Sequence, residues 1–269
     1  MKITVIMENT KACEALTCEH GLGFFIETEG KCYICDTGQS AATWDNAAKL
    51  GIDISKAEAL FLSHGHFDHS GGIITFAGRF DDIPIFMQKS ALCEFYHDDR
   101  YIGIDRRIAC LPSLKLLDGN FEYNENVSVF TWIKGRRLWP QSNIGLTKLT
   151  DGVKKQDTFE HEQCLVIREK DKSVLLSGCA HNGILNVLDR YIELYGKAPD
   201  VVLSGFHMMK KTEYTAAEKE NIIMTAKELS ACPTMFYTGH CTGMAAFALM
   251  KEIMGEKLEY MSTGKVIYI

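Results

Sequence analysis

The stretch "LFLSHGHFDHSGGI", residues 60–73, places three histidines and an aspartate within six positions. The apolar residues before the cluster predict a buried strand and "HSGGIITFAG" predicts the following helix, so the cluster lies where a strand turns into a helix. His64 and His66 are separated by one residue, so in an extended segment they project to the same side and can chelate one metal ion. Asp68 and His69 follow at the turn, and they are candidate ligands for a second ion or neighbours of a water and substrate beside the first. The nitrogen and oxygen donors suit zinc, and they also admit manganese or iron.

The length, hydrophobic content and charge of the chain are those of a globular protein. The 269 residues are 46% hydrophobic, enough to bury a large core. The net charge is −6 and no run of lysine or arginine exceeds two residues, which disfavours nucleic acid as a partner. No stretch approaches the roughly 20 apolar residues that span a bilayer, so we expect a cytoplasmic protein with no membrane partner. The ten cysteines form no disulfide framework, and we interpret them as reduced thiols.

The order of predicted elements indicates an α/β chain. Residues 2–7, 23–29 and 31–36 are predicted strands with a hairpin turn at 28–31, and the second half alternates strands with helices. Thr215 with Glu218 three residues later predicts a capping box at the start of a helix. Residues 79–150 have a looser pattern, and we expect part of this segment to be an inserted element that covers a pocket.

Three further histidines follow apolar strands that end in small-residue turns. "LLSGCAH" contains His181, "VLSGFH" contains His207 and "FYTGHC" contains His240. Groups just beyond strand ends line the crevice where ligands bind in α/β sheets. We therefore expect these three loops and the loop of the histidine cluster to converge on one site.

"SHGHFDHSGG" resembles the signature of the metallo-β-lactamase superfamily. This resemblance covers nearly the whole chain and implies one domain over residues 1–269, an α/β (α+β) four-layer αββα sandwich with one or two metal ions at the sheet edges. "CDTG" resembles the early aspartate motif, which places Asp36 behind the metal loop as an orienting residue. "FYTGHCTG" resembles the late histidine motif, which makes His240 a second-site ligand. "EHGLGFFIE", "SGCAHNGILN" and "SGFH" resemble the dihydropterin aminobenzene-ribofuranosyl phosphate synthase-like branch.

The sequence departs from the superfamily pattern at one position. Where the wider superfamily has an aspartate that bridges two metals, this chain has Cys179, which is either a thiolate ligand or a small buried residue. We predict that His181 compensates as a ligand. His161 is interpreted as a solvated loop residue, and His20 lies either at the pocket rim or on the surface.

These features predict a metal-dependent hydrolase with one or two divalent ions, zinc first. A metal-activated water would attack a phosphoester, lactone or thioester, with Asp68 orienting or deprotonating the water and His207 contacting the substrate or leaving group. One alternative is a transferase, as the branch implies, with a phosphorylated or pterin-like small substrate. The other is a non-enzymatic metal or redox sensor, an alternative kept open by Cys179 and Cys241.

Overall fold

Two seven-stranded sheets pack face to face in the computed structural model, which describes residues 1–269. The first sheet contains β1 Lys2–Met7, β2 Gly23–Thr28, β3 Lys31–Cys35, β4 Ala57–Phe61, β5 Ile85–Gln88, β8 Leu114–Leu117 and β18 Val266–Tyr268, in the spatial order β18-β1-β2-β3-β4-β5-β8. The second contains β9 Phe121–Glu122, β10 Val127–Phe130, β13 Cys164–Glu169, β14 Lys172–Ser177, β15 Val201–Ser204, β16 Met235–Thr238 and β17 Leu258–Tyr260, in the order β17-β16-β15-β14-β13-β10-β9.

Six helices accompany these sheets: α1 Ala42–Lys49, α2 Phe67–Ser70, α3 Ile73–Ala77, α4 Ile184–Tyr195, α5 Ala216–Ala231 and α6 Met244–Met254. All but the short α2 pack on the outer faces. Three apolar layers hold the assembly together. One lies between the two sheets, one packs Trp44 of α1 and Phe76 of α3 on the first sheet, and one packs Leu188 of α4 and Met250 of α6 on the second. This is the predicted four-layer αββα sandwich, and the fold class is confirmed.

Parallel strands place four loops at one edge. Strands β3, β4, β5 and β8 run parallel, as do β14, β15, β16 and β17, whereas the other strand pairs in both sheets are antiparallel. The loop with the histidine cluster follows β4, and the loops with His181, His207 and His240 follow β14, β15 and β16. Carboxyl ends of parallel strands are where α/β sheets bind ligands.

The predicted helix over residues 69–78 is instead two short helices, α2 and α3. They are separated by Gly71 and Gly72, which press against the loop after β3. A Cβ on Gly71 would lie 2.0 Å from the carbonyl oxygen of Gln39, and one on Gly72 would lie 2.7 Å from that of Thr37. The glycine pair therefore lets the metal loop approach a neighbouring backbone closely.

The segment from residue 79 to residue 150 divides between the sandwich and a third sheet. Strands β5, β8, β9 and β10 belong to the two large sheets. The third sheet has four strands in the order β12-β11-β6-β7; these strands are β6 Phe95–His97, β7 Arg100–Tyr101, β11 Leu146–Thr150 and β12 Val153–Gln156. His97, Arg100 and Leu146 of this small sheet line the main cleft. No helix in the structure is long and apolar enough to cross a membrane.

Candidate metal centre

Four buried histidines face each other in two pairs. The Nε2 atoms of His64 and His181 lie 3.3 Å apart, and those of His69 and His240 lie 3.2 Å apart. The Sγ atom of Cys179 is 3.1 Å from Nε2 of His69. Each pair forms, together with Cys179, a group whose ligand atoms all lie within 4.8 Å of one another.

Asp36 orients one histidine of each pair. Its Oδ2 atom accepts a hydrogen bond from Nδ1 of His69 at 2.6 Å and another from the hydroxyl of Ser63 at 2.7 Å. Because that hydroxyl donates to Asp36, its oxygen accepts from Nδ1 of His64 at 2.9 Å. Proton donation from Nδ1 leaves Nε2 of His64 with a lone pair when the ring is neutral.

Two asparagines orient the other histidines. Asn143 donates from its amide to the His181 carbonyl at 2.7 Å, so its Oδ1 faces and accepts from Nδ1 of His181 at 2.9 Å. Oδ1 of Asn9 accepts from the backbone N–H of Gly21 at 3.2 Å and from Nδ1 of His240 at 2.9 Å. Both rings therefore also present an unprotonated Nε2 toward the site when they are neutral.

The contact between His64 and His181 fits a metal ion better than it fits a hydrogen bond. Burial lowers the pKa of His64 and of His181 well below the usual value, and lowers that of His240 to about 4. Two neutral imidazoles whose Nε2 lone pairs face each other repel unless a cation lies between them. Two nitrogens bound to one tetrahedral zinc lie about 3.3 Å apart, which matches the separation of His64 and His181. The donor set thus suits divalent ions, and the oxygen partners at Nδ1 are those typical of metal-ligating histidines.

Asp68 stands beside the pair formed by His69 and His240. Its Oδ2 atom is 3.3 Å from Nε2 of His240, 4.0 Å from Nε2 of His69 and 3.2 Å from Nε2 of His20. Although burial opposes ionisation, the charge of His69 and the hydrogen bond from His20 keep the pKa of Asp68 well below its usual range. The pKa of His69 is raised, because Asp36 and Asp68 together outweigh the effect of burial. Of the two positions considered for His20, the structure shows the pocket rim.

His66 lies in a neighbouring group with Asp157 and His161. Its ring centroid is 4.6 Å from that of His64 and 4.8 Å from that of His181, and its buried Nε2 has no hydrogen-bond partner. Burial lowers the pKa of His66 to about 3, so it is neutral at pH 7 and its orphaned nitrogen is available to a cation.

The interpretation of His161 as a solvated residue is wrong. Its side chain is 1% exposed, and its ring centroid lies 4.1 Å from that of Phe95. Nδ1 of His161 accepts the backbone N–H of Gly65 at 2.9 Å, and Nε2 donates to Asp157 at 3.0 Å. His161 therefore supports the backbone between the two histidines of the motif, a role for which the sequence offers no local signal.

A cleft of about 790 Å³ opens above these groups. Its wall includes His207, which lies 4.1 Å from His181 between ring centroids and shares a 2.7 Å hydrogen bond between Nδ1 and the hydroxyl of Ser142. Burial lowers the pKa of His207 to about 3, so at pH 7 its imidazole is neutral. Three cationic side chains line the same cleft: Arg100, Lys210 and Lys211.

Several buried carboxylates and amides complete the site, and the sequence did not single them out. Oε1 of Glu8 accepts the backbone N–H of His240, and Oε1 of Glu162 accepts that of His181 at 2.6 Å. Glu8 and Asn9 lie next to β1, far from His240 along the chain. No spacing rule could find them, although a glutamate that directly follows a buried apolar strand is a weak signal.

The comparisons with known proteins agree with this architecture. A family model described as the metallo-beta-lactamase superfamily matches residues 16–121. A curated 7,8-dihydropterin-6-methyl-4-(beta-D-ribofuranosyl)-aminobenzene-5'-phosphate synthase of Methanocaldococcus jannaschii is 28% identical over 93% of this chain and 90% of its own. An uncharacterized protein of the same organism is 24% identical over 99% of this chain and all of its own.

Among solved structures, Tm1679, described as a metal-dependent hydrolase of the beta-lactamase superfamily, is similar with a TM-score of 0.84 and 27% identity. The similarity covers 100% of this chain and 99% of that one. The resemblance inferred from the sequence blocks is thereby confirmed: the chain is similar to the metallo-β-lactamase superfamily in sequence over residues 16–121 and in fold over its whole length.

Proposed function

We propose that this chain is a metal-dependent hydrolase of small anionic substrates, with phosphoesters as the first class to test. The observation that carries the proposal is the pair of facing Nε2 atoms of His64 and His181, 3.3 Å apart beneath an open cleft. His69 and His240 form the corresponding pair for a second ion, with Asp68 beside them. We assign zinc as the first metal, with manganese or iron as alternatives.

Divalent ions at these positions would supply Lewis acidity and would lower the pKa of a water from about 15.7 towards about 7. The chain's own residues do the rest. Asp68 holds a carboxylate at the floor of the cleft, where it can orient a water and accept its proton. His20 donates to that carboxylate from the rim and fixes its direction.

His207 is placed to serve the substrate. Its neutral ring lines the cleft, and the hydroxyl of Ser142 fixes the ring through Nδ1. Because that hydroxyl donates to the His207 carbonyl, it accepts from Nδ1, and the free Nε2 can accept a hydrogen bond from a hydroxyl of the substrate or from a water. We propose His66 as a further ligand of the ion held by His64 and His181, because its buried Nε2 lacks any other partner.

The cations of the cleft favour an anionic substrate over a lactone or thioester. Arg100 stands over the ring of Phe67 at 4.9 Å, and Lys211 makes no ion pair with another side chain. Lys210 is partly neutralised, because its ammonium contacts Glu218 at 2.7 Å. A guanidinium with free donors can hold a phosphate group in two-point contact.

The test is a substrate panel on zinc-reconstituted protein: a phosphodiester, a phosphomonoester, a lactone and a thioester. We expect hydrolysis of a phosphoester, and a loss of about 10²–10⁴-fold in kcat for Asp68→Asn. Arg100→Gln should raise KM for the phosphoester and leave any lactone hydrolysis unchanged. The exposed Asp81 and Arg79 provide matched controls as Asp81→Asn and Arg79→Gln. No turnover of any phosphoester, with both ions bound, would refute the proposed substrate class.

A second candidate function is group transfer, favoured by the similarity to the synthase over 93% of this chain. Here the same cleft would hold an activated dihydropterin and an aminobenzene ribofuranosyl phosphate. Incubation with both compounds separates the two functions. A coupled product formed together with an equal amount of pyrophosphate supports transfer, and inorganic phosphate without coupling supports hydrolysis.

A further inference from the structure

Cys179 stands between the two histidine pairs. It lies two residues after the end of β14, its side chain is 3% exposed, and it is the one residue common to both ligand groups. In one group it joins His64 and His181, and in the other it joins His69 and His240. The buried sulfur is therefore close to the nitrogen lone pairs of both histidine pairs.

We propose that the Cys179 sulfur, as a thiolate, is a ligand shared by two metal ions, one held with His64 and His181 and the other with His69 and His240. This inference rests on the proposed function, since it needs both ions to bind. It adds a ligand in the place where the wider superfamily has a carboxylate.

The distances suit such a ligand. A sulfur and a nitrogen bound to one tetrahedral zinc lie about 3.6 Å apart, and Sγ of Cys179 is 3.1 Å from Nε2 of His69 and within 4.8 Å of the other three nitrogens. When the ions bind, the S–H bond breaks and its proton goes to solvent, while the sulfur lone pairs form the metal bonds. The thiolate adds a second negative charge to that of Asp68 and so helps to neutralise two dications in a buried site.

The neighbouring Cys241 provides a matched control. It is also buried, and its sulfur lies 3.6 Å from the carbonyl oxygen of Cys179. However, it accepts the backbone N–H of His207 at 3.3 Å and belongs to neither ligand group. Of these two neighbouring buried thiols, Cys179 alone belongs to the groups that contain the histidine nitrogens.

The experiment titrates metal-free protein with cobalt(II) and follows the near-ultraviolet thiolate-to-cobalt charge-transfer band. For the unmodified chain we expect the band to grow over both the first and the second equivalent, because one sulfur contacts both ions. Cys179→Ser and Cys179→Ala should lose the band and bind the second ion at least about tenfold more weakly. Cys241→Ser should keep both the band and the two ions.

The outcomes separate this inference from the proposed function. If two cobalt ions bind without a thiolate band, or if the band saturates at one equivalent, the shared thiolate is refuted while the metal site stands. A band lost in Cys241→Ser and kept in Cys179→Ser would assign the thiolate to Cys241 and overturn the inference. If the folded chain binds no cobalt, both proposals fail. Circular dichroism of each metal-free variant checks folding, and the unmodified chain decides the inference even if a variant does not fold.

Discussion

Asp36 connects the two histidine pairs through one carboxylate. It contacts His69 directly and His64 through the hydroxyl of Ser63, and it also accepts the backbone N–H of Ser63 at 2.7 Å. Residues in this position fix the tautomer of a ligand and raise its basicity. A change at Asp36 should therefore affect both ions, although its carboxylate belongs to neither ligand group.

We predict that Asp36→Asn lowers the affinity for both ions by about 10–100-fold. The amide has one oxygen and one NH2 group in place of two carboxylate oxygens. The oxygen is a weaker acceptor than a carboxylate, and the NH2 group faces an N–H or O–H that the carboxylate had accepted. Competition with a coloured chelator measures each dissociation constant. The exposed Asp45 of α1 gives the control Asp45→Asn, which should bind as the unmodified chain does. Unchanged affinity in Asp36→Asn would show that the histidines are oriented by packing alone.

Only some residues of the site can be predicted from a single sequence. The cluster from His64 to His69 is visible because its members are neighbours in the chain. Asn9 and Asn143, which orient His240 and His181, come from distant loops, and nothing in their local sequence distinguishes them from surface asparagines. His161 was misjudged for the same reason, because its burial depends on Phe95, a residue of the separate small sheet.

At the scale of elements, helix α5 begins with the predicted capping box, and this prediction is confirmed. The hydroxyl of Thr215 accepts the backbone N–H of Glu218 at 3.3 Å, while the Glu218 carboxylate accepts the backbone N–H of Thr215 at 2.7 Å. We predict that Thr215→Ala lowers the free energy of unfolding by about 1 kcal/mol, equivalent to about 2–4 °C in Tm. Thermal unfolding measures this change in Tm, and the exposed Thr212 provides the control Thr212→Ala. Equal Tm values for both variants would mean that the capping box adds nothing.

The same capping box predicts a pH dependence. A hydrogen bond from Lys210, followed by those from Thr215, lowers the pKa of Glu218 from 4.5 to about 2. A carboxyl group whose pKa is lower in the folded than in the unfolded chain stabilises the folded state at any pH above its unfolded-state pKa. This contribution is lost as the pH falls through the folded-state pKa. The Tm difference between the unmodified chain and Glu218→Gln should therefore be constant above about pH 5 and should shrink from there towards pH 2. The exposed Glu220 gives the control Glu220→Gln; a gap that stays constant down to pH 2 would contradict the prediction.

Local periodicity predicted most elements of the sandwich and failed in one region. Strands such as β1 and β2 have strong apolar patterns, and their predicted positions match the structure to within one residue. Between residues 79 and 150 the strands have only two to five residues, and some of them pair with strands far away in the chain, as β6 does with β11. Pairing of this kind depends on tertiary contacts that a window of sequence does not contain.

On the scale of the whole molecule, the candidate metal centre lies where the two halves of the sandwich meet. His64 and His69 come from the loop after β4 in the first sheet, and their partners His181 and His240 follow β14 and β16 in the second. The chain's family resemblance predicted this two-sheet arrangement. The exact pairing of ligands could not be predicted, because it depends on how the sheet edges meet.

Because each pair has one histidine from each sheet, removing the ions should weaken the contact between the halves. An ion present at about 1,000 times its dissociation constant stabilises the folded state by about 4 kcal/mol, so we expect chelation to lower Tm by on the order of 10 °C. Thermal unfolding before and after chelator treatment, with the metal content measured in both samples, gives the result, and added zinc should restore the original Tm. The double variant His69→Ala/His181→Ala lacks one ligand of each pair, and its Tm should not respond to chelator. If the ions leave the unmodified chain and its Tm does not change, the buried apolar core between the sheets alone holds the two halves together. The ions bound by the histidine pairs would then add nothing to the stability of the fold.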